Sequence, residues 1–417
     1  MLDLFPDTAR IEGGALTLGG ITATELLRAH GSPLVVYDEV TLRAEARAYR
    51  AAAPAAFVCY GTKAFPSLAL LRLLAEEGIG ADVSTLGELR FALEAGIPGD
   101  RLVVHGNNKS DDELRAAATA GALVVIDSLE EIDRARAAGV TRTLIRVTPG
   151  IEADTHEAIR TGHHGSKFGL TPEDALEGLR RAPETEGLHV HIGSQLRDLG
   201  AARLAVDWLA TFAARARDDT GWTLRTIDFG GGLGVASTNE DPELSIADFV
   251  GGLLAELEET RSEHGLPEPQ VILEPGRSLT ARAGVTLYTV GSVKQSSADT
   301  TYVAVDGGMS DNPRPALYGA RYTALLANRA DEPSSAPYTV VGKHCESGDM
   351  LIERVELPEP HRGDILAVPT TGAYTLAMSS TYNAVPRPAV VLVNDGEARV
   401  IRRRETIDDL LALETDA

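Results

Sequence analysis

Residues able to do chemistry follow successive apolar runs of this sequence. They are Lys63, Asp82, His105, His191 and Glu274. An isolated lysine is usually a solvated surface cation. Lys63 differs because it lies between an apolar run and Ala64-Phe65, where desolvation would lower the pKa of its amine toward neutrality. A lysine in such a place is a candidate for forming a Schiff base with a carbonyl compound.

A run of glycines, FGGGLG at 229–234, follows a later apolar run. The simplest interpretation of an isolated glycine run is a tight turn without a ligand. Glycines also let backbone N–H groups approach an anion closely. In a β/α barrel, a phosphate site commonly lies in the loops after the last two strands. The glycine run and the segment EPGR at 274–277 lie at the ends of the last two strands expected here. This position makes a phosphate site about as plausible as a tight turn without a ligand.

A Schiff-base lysine and a phosphate site together suggest pyridoxal phosphate as cofactor. That cofactor needs an acid beside its pyridine nitrogen, because the protonated ring takes up the electrons left by decarboxylation. Glu274 is the candidate for this acid. His191 is a candidate for the group over the ring face, although a core histidine bonded to a barrel carbonyl would leave the same sequence pattern.

Eight short apolar runs alternate with helix-like segments in the first two thirds of the chain. Apolar residues on both faces are typical of parallel strands buried in a barrel. Eight alternating units predict an α/β fold, a (β/α)8 or TIM barrel over residues 35–276. The runs are 56–60, 79–83, 101–105, 123–127, 143–147, 188–192, 225–229 and 271–275.

The pattern changes at residue 277. Segments such as TLYTVGSVK, TYVAVDGG and DILAVPT are typical of β-strands joined by Gly, Pro and Asp turns. Residues 277–417 are therefore predicted to form a β-domain, and we assign residues 1–34 to the same domain.

Composition limits the classes of partner. The 417 residues carry a formal net charge of −22, which disfavours nucleic acids and anionic membrane surfaces. No apolar stretch is long enough for a membrane span. Two cysteines, Cys59 and Cys345, are not a disulfide framework, and we expect a reducing cytoplasm, with Cys59 packed inside the first strand. The adjacent His163 and His164 cannot easily face one ion, so no metal is expected.

Motifs along nearly the whole chain resemble one family. The sequence is similar to the fold type III, or alanine-racemase-like, pyridoxal-phosphate-dependent decarboxylases, and within them to the branch that acts on diaminopimelate. Each motif alone is weak, and their order gives the specificity. They are YGTKAF (60–65), HGNNKS (105–110), RTGHHGSKFGL (160–170), GLHVHIGSQL (187–196), DFGGGLG (228–234), EPGRS (274–278), VDGGMSDNPRPALYGARY (305–322), GKHCESGDML (342–351) and GAYTLAMSSTYNAVPRPAVVLV (372–393).

The resemblance implies roles for particular residues. Lys63 matches the lysine that carries the cofactor, His191 the ring-stacking histidine and Glu274 the partner of the pyridine nitrogen. Asp82 is expected beside the cofactor. The expected contacts of the cofactor phosphate are Ser194, Gly230, Gly231, Gly232, Gly276, Arg277 and Tyr374. The expected contacts of the substrate are Arg277, Arg314, Tyr318, Glu346 and Tyr374.

The same resemblance implies a reaction and an assembly. The substrate would be meso-diaminopimelate, decarboxylated to L-lysine and carbon dioxide as the last step of lysine biosynthesis. Arg314 would bind the distal carboxylate and Glu346 the distal ammonium. Cys345 would protonate the carbanion, since a thiol of pKa near 8.5 is a suitable proton donor. Cys345 and Glu346 reach a neighbouring subunit in the family, which implies a homodimer with shared active sites.

Three other interpretations stay open. The first is a related decarboxylase of ornithine, arginine, lysine or carboxynorspermidine, against which Arg314 and Arg321 argue by indicating a distal carboxylate. The second is a non-catalytic binding homologue, which would not need Lys63, Glu274 and Cys345 together. The third is a cofactor-free Schiff-base aldolase, in which Glu274 would have no evident task.

Overall fold

The structure is a computed structural model of the 417-residue chain, and it describes residues 2–149, 166–191 and 193–415. The chain divides into two compact units. The barrel unit comprises Glu45–Val235 and Glu243–Ser278, and the β unit comprises Met1–Ala44, Ala236–Pro242 and Leu279–Ala417.

The N-terminal segment belongs to the β unit, except for the end of its second helix. Its elements are β1 (Arg10–Glu12), β2 (Ala15–Leu18), β3 (Ile21–Thr22), α1 (Ala23–His30), β4 (Leu34–Asp38) and α2 (Glu39–Ala52). Strands β1, β2 and β3 form a small antiparallel sheet. Helix α1 begins at a capping box, in which Thr22 accepts from the N–H of Glu25 and the Glu25 carboxylate accepts from the N–H of Thr22.

The barrel unit alternates parallel strands with helices. Its strands are β5 (Phe57–Gly61), β6 (Gly80–Val83), β7 (Leu102–Val104), β8 (Leu123–Ile126), β9 (Thr143–Arg146), β10 (Gly187–His189), β11 (Thr226–Asp228) and β12 (Gln270–Leu273). The helices between them are α3 (Leu68–Glu76), α4 (Leu86–Glu94), α5 (Asp111–Ala120), α6 (Leu129–Ala137), α7 (Pro172–Arg181), α8 (Gly200–Thr220) and α9 (Ile246–Glu263), and α10 (Arg277–Thr280) follows β12.

The eight strands close into a barrel in chain order, with β12 pairing in parallel with β5. This confirms the predicted (β/α)8 barrel, and each of the eight apolar runs overlaps one of its strands. Helices α4 to α7 and α9 each follow a Ser or Thr whose hydroxyl accepts from a backbone N–H of the first turn. Such caps fix the residue at which each helix begins, and therefore where the loop between strand and helix ends.

Apolar side chains fill the barrel interior. One cluster brings together residues of β5, β7, β8, β9 and β12, namely Cys59, Val103, Leu123, Val125, Leu144 and Ile272. Cys59 is fully buried in β5, which agrees with the expectation that it packs.

A buried ion pair joins the loop after β7 to helix α6. The Nζ atom of Lys109 lies 2.6 Å from Glu131 Oε1 and also donates to the carbonyl oxygens of Gly106 and Val125. The other oxygen of Glu131 accepts from the N–H of Asp127. The side chains of Lys109 and Glu131 are only 1% and 5% exposed, so each charge depends on the other.

Replacing one partner of this pair is expected to destabilise the barrel strongly. The substitution Lys109→Met leaves Glu131 buried without its cation and should lower the free energy of unfolding by about 3–5 kcal/mol. Urea unfolding followed by circular dichroism measures the change. Arg115→Met is the matched control, because its pair with Asp112 is exposed and screened by solvent. Equal effects of the two substitutions would contradict the importance of the buried pair.

The second part of the β unit is a mixed sheet. Its elements are β13 (Gly284–Ser297), β14 (Thr300–Val305), α11 (Arg314–Tyr318), β15 (Leu325–Leu326), β16 (Ala336–Val341), β17 (Met350–Leu357), β18 (Ile365–Val368), β19 (Ala389–Asn394), β20 (Glu397–Arg402) and α12 (Ile407–Leu411). The main path runs β17-β16-β14-β13-β4-β19-β20, and β18 pairs with β13 and β15. This agrees with the predicted separate β-domain.

Strand β4 lies inside this sheet, between β13 and β19, and all its residues are buried. Its pairing carries the chain past residue 35 within the β unit, and the barrel unit begins only at Glu45. The barrel was expected to begin at residue 35. The sequence could not place this boundary correctly, because an apolar run as short as 34–38 predicts a strand but not the sheet that the strand joins. None of the helices in the described part of the chain has the length and apolar character needed to cross a bilayer.

Candidate active site

The carboxyl ends of the barrel strands carry a cluster of polar side chains. Lys63 lies in a short 3₁₀ turn, Thr62–Ala64, directly after β5. Its Nζ atom is 3.3 Å from Asp82 Oδ2 at the end of β6, and the Thr62 hydroxyl donates to the Asp82 carbonyl. The Lys63 side chain is 51% exposed whereas Asp82 is buried. The Lys63 amine is therefore positioned by the buried Asp82 carboxylate and remains accessible to a ligand.

Glu274 follows β12 on the other side of the same cluster. Its Oε1 atom lies 2.5 Å from Nε2 of His105, the residue after β7, and both side chains are buried. The same His105 nitrogen lies 3.8 Å from Asp82 Oδ1. The structure thus brings Lys63, Asp82 and Glu274 together, and His105 lies between the two carboxylates.

Two members of the cluster were missed as site residues by the sequence analysis. His189 ends β10, with its Nε2 atom 3.6 Å from Glu274 Oε2 and its ring edge-on to that of His105. Asp228 ends β11, and its Oδ1 atom accepts from the N–H of Gly230. A histidine and an aspartate inside otherwise apolar strands were the available signal, because such residues are rarely buried without a partner.

The pKa values of the buried carboxyl groups are shifted in different directions. Burial raises the pKa of Asp82 despite the charge of Lys63. Burial and the neighbouring charge of Glu274 raise the pKa of Asp228 well above its ordinary value. Burial acts in the same direction on Glu274, but the charge and hydrogen bond of His105 hold its pKa well below the ordinary value. Glu274 is therefore the carboxyl group of the cluster that most favours the ionised form.

The cluster contains residue types that can bind a metal ion. Ligand atoms of His105, His189, Asp228 and Glu274 lie within 4.8 Å of one another. However, the 2.5 Å separation of His105 Nε2 and Glu274 Oε1 is a direct hydrogen bond. Two ligands each about 2.0–2.1 Å from a tetrahedral zinc ion lie farther apart than that. The observed geometry is that of a histidine hydrogen-bonded to a carboxylate.

The glycine loop after β11 comes very close to neighbouring backbone. A Cβ at Gly231 would lie 2.4 Å from the carbonyl oxygen of Glu274, and one at Gly230 would lie 2.9 Å from Nδ1 of His191. Gly230 and Gly232 also have φ angles of +64° and +130°, which L side chains rarely adopt. The loop therefore offers bare backbone beside Glu274, as a phosphate-bearing ligand requires.

A side chain on this loop is expected to weaken cofactor binding. Gly231→Ala places a methyl group against the Glu274 carbonyl and must shift the loop, so the cofactor Kd should rise by at least about tenfold, the equivalent of one lost hydrogen bond. Titration of the apoprotein with pyridoxal phosphate, followed by absorbance, measures it. Gly251→Ala in α9 is the control, because its Cβ meets nothing within 4 Å. An unchanged Kd for Gly231→Ala would contradict the loop's assignment.

The remaining predicted residues of the barrel unit lie in nearby loops. His191 follows β10, and burial together with the charge of Lys63 holds its pKa well below the ordinary value. Ser194 is exposed in the loop that follows. Gly276 is buried, with its Cα atom 3.5 Å from where a Cβ of Gly61 would lie, and Arg277 begins α10. His163 and His164 lie outside the described residues.

The other predicted residues lie in the β unit. Arg314 is buried at the start of α11, with its guanidinium 6.0 Å from the ring centre of the exposed Tyr318. Cys345 is exposed, and its N–H donates to Asn383. Glu346 is also exposed and accepts from the Tyr382 hydroxyl at 3.4 Å. Tyr374 has a positive φ of 59°.

Comparison with known proteins assigns the family. The family model described as "Pyridoxal-dependent decarboxylase, pyridoxal binding domain" matches residues 39–281. The chain belongs to this family of pyridoxal-phosphate-dependent decarboxylases.

Relatives of this chain include several diaminopimelate decarboxylases. The one from Actinosynnema pretiosum subsp. auranticum is 46% identical, over 99% of this chain and 95% of its own. The one from Bacillus subtilis (strain 168) is 42% identical, over 96% and 95% of the two chains. The solved diaminopimelate decarboxylase of M. jannaschii, in complex with L-lysine, is 31% identical with a TM-score of 0.93, over 99% and 98% of the two chains.

The described residues fit pyridoxal phosphate, the cofactor of this family. Lys63 supplies an accessible amine, Glu274 a buried anion, and the glycine loop bare backbone. In the described part of the chain, Asp82 Oδ1 and Asp228 Oδ2 are buried without a hydrogen-bond partner. Unpaired buried acceptors of this kind are rare outside sites that bind a ligand or water.

Proposed function

We propose that this protein decarboxylates meso-2,6-diaminopimelate to L-lysine and carbon dioxide, the last step of lysine biosynthesis. The observation that carries the proposal is the match to diaminopimelate decarboxylases along nearly the whole chain. The M. jannaschii enzyme binds L-lysine in its solved structure, which is the product proposed for this chain.

Bound pyridoxal phosphate supplies an electron-accepting ring that stabilises the charge left when the substrate loses carbon dioxide. Lys63 would hold the cofactor through its amine, and Asp82 Oδ2, 3.3 Å from Lys63 Nζ, positions that amine. Glu274 would present an ionised carboxylate to the pyridine nitrogen of the cofactor, and His191 would stack on the face of its ring. The cofactor phosphate would be held by backbone at Gly230, Gly231, Gly232 and Gly276, together with Ser194, Arg277 and Tyr374.

Residues of the β unit complete the proposed chemistry. Arg314, with Arg277, Tyr318 and Tyr374, binds substrate carboxylate, and Glu346 binds the distal ammonium. A guanidinium holds a carboxylate through two parallel hydrogen bonds, which a protein of net charge −22 must provide locally. Cys345 donates the proton that replaces the lost carboxylate.

We also propose a homodimer with shared active sites. Cys345 and Glu346 are exposed on their own subunit, as residues that serve a neighbouring subunit would be. Both cysteines are free in the structure, which fits the cytoplasmic location proposed for the enzyme.

A substrate panel tests the proposal. The purified protein is incubated with pyridoxal phosphate and, in parallel, with meso-diaminopimelate, ornithine, lysine and arginine, and carbon dioxide and amine products are measured. We expect product from meso-diaminopimelate alone. Activity only on ornithine or arginine would keep the fold and overturn the substrate, and inactivity on all four would indicate a binding homologue.

A further inference from the structure

The charge state of Glu274 needs a physical explanation. It is buried with Asp82 and Asp228, and three buried carboxyl groups repel one another when ionised and lose hydration. A carboxyl group in such surroundings tends to keep its proton. A protonated Glu274 would be a poor partner for a protonated pyridine nitrogen, because only the carboxylate attracts that positive charge.

The other neighbours of Glu274 act on it less directly than His105. The mostly buried Arg146 guanidinium attracts Glu274 through its charge. Lys63 is paired with Asp82. His189 lies 3.6 Å from Glu274 Oε2, beyond hydrogen-bond distance, and burial lowers the pKa of its ring to about 3, so it stays neutral. Asp228 is an acid whose Oδ1 atom already accepts from Gly230. Among the described residues of the cluster, His105 makes the direct hydrogen bond to the Glu274 carboxylate.

The position of His105 is fixed by the barrel. Its backbone N–H donates to the carbonyl of Val83 at 2.8 Å, which continues the parallel pairing of β7 with β6 beyond the last paired residues. Its ring packs edge-on against the ring of His189, with centres 4.8 Å apart. The buried ring has little room to move, so Nε2 stays aimed at Glu274 Oε1.

We infer that His105 is a positioning residue for decarboxylation: its Nε2–H bond fixes and keeps ionised the Glu274 carboxylate that holds the proton on the cofactor's pyridine nitrogen. His105 acts through Glu274 and touches neither substrate nor reacting atoms. The inference rests on the proposed role of Glu274. It adds to that role the residue that makes Glu274 an anion despite its burial.

The test observes the pyridine nitrogen directly. Apoprotein is loaded with pyridoxal phosphate carrying ¹⁵N in the ring, and the ¹⁵N chemical shift is followed against pH without substrate. His105→Leu should move the titration midpoint of the ring nitrogen to lower pH by about one to two units, the loss expected for one hydrogen bond to a charged group. The direction follows because a Glu274 that takes up a proton no longer stabilises the positive ring.

Two variants show whether the hydrogen bond is responsible. His105→Gln keeps an N–H donor near the position of Nε2. Its titration midpoint should therefore lie between those of His105→Leu and the wild type. Trp222→Phe removes a different buried hydrogen bond of the barrel unit, from the indole to the Thr185 carbonyl, and should leave the midpoint unchanged. If His105→Leu does not fold, His105→Met replaces it as the variant without a donor: a lowered midpoint in that variant supports the inference, and an unchanged one overturns it.

Glu274→Gln separates this inference from the proposed function. If Glu274→Gln lowers the midpoint and His105→Leu does not, His105 has no positioning role. If Glu274→Gln itself leaves the nitrogen unchanged, the assignment of Glu274 fails, and the inference about His105 fails for that separate reason.

Discussion

The variant Lys63→Ala is expected to lose the covalently held cofactor and to be inactive. Lys63 supplies the one accessible amine in the described cluster at the carboxyl ends of the barrel strands, and Asp82 holds it at 3.3 Å. The absorbance band of the lysine-linked cofactor should disappear. Decarboxylation should fall by at least about 10³-fold, because the variant loses covalent attachment in addition to proton-transfer catalysis, which alone contributes about 10²–10⁴-fold.

Lys294→Ala is the matched control for this experiment. Lys294 is exposed on β13 and is not part of the described cluster at the carboxyl ends of the barrel strands, so its loss should leave the absorbance band unchanged. Survival of the band in Lys63→Ala would show that another amine carries the cofactor, and the assignment of Lys63 would be wrong.

The variant Cys345→Ala is expected to bind cofactor normally and to turn over about 10²–10⁴-fold more slowly, because it loses the proposed proton donor. The exposed thiol makes no packing contact in the core clusters, so the fold should be unaffected. Spectroscopy of the cofactor and carbon dioxide release measure the two effects separately. Ser297→Ala, at the exposed end of β13, is the control.

The shared active sites can be tested with the same variants. In a mixed dimer of Lys63→Ala and Cys345→Ala subunits, one site contains both unaltered residues. Mixing the two inactive proteins under conditions of subunit exchange should therefore recover activity that neither parent has. If exchange is verified by mass spectrometry and activity stays absent, Cys345 does not serve the neighbouring subunit.

The barrel could be predicted from the sequence because its signal is local. Each strand is a short apolar run followed by a helix-like segment, and helices such as α5 and α6 begin at recognisable Ser or Thr caps. Eight such units leave few alternatives to a closed barrel. The strand-end position of Lys63, Asp82 and Glu274 followed directly, because parallel strands present their carboxyl ends on one side.

The rest depends on contacts between residues distant in sequence. The membership of β4 in the β unit is set by pairing with β13 and β19, hundreds of residues away along the chain. The hydrogen bond between His105 and Glu274 joins β7 to β12, and no local pattern specifies it. His189 and Asp228 lie in strands, and the sequence does not show that closure of the barrel brings them beside Glu274. Residue types indicate which chemistry is available, but the fold determines which of these side chains form hydrogen bonds with one another.

The central claim is that the enzyme removes one carboxylate from a substrate with two amino-acid ends. The most direct test uses meso-diaminopimelate labelled with ¹³C at both carboxyl carbons, with mass spectrometry of the products. We expect one equivalent of ¹³CO₂ and L-lysine that retains one labelled carboxylate. Loss of both labels as carbon dioxide, or an absence of labelled carbon dioxide from a protein that binds the cofactor, would contradict it.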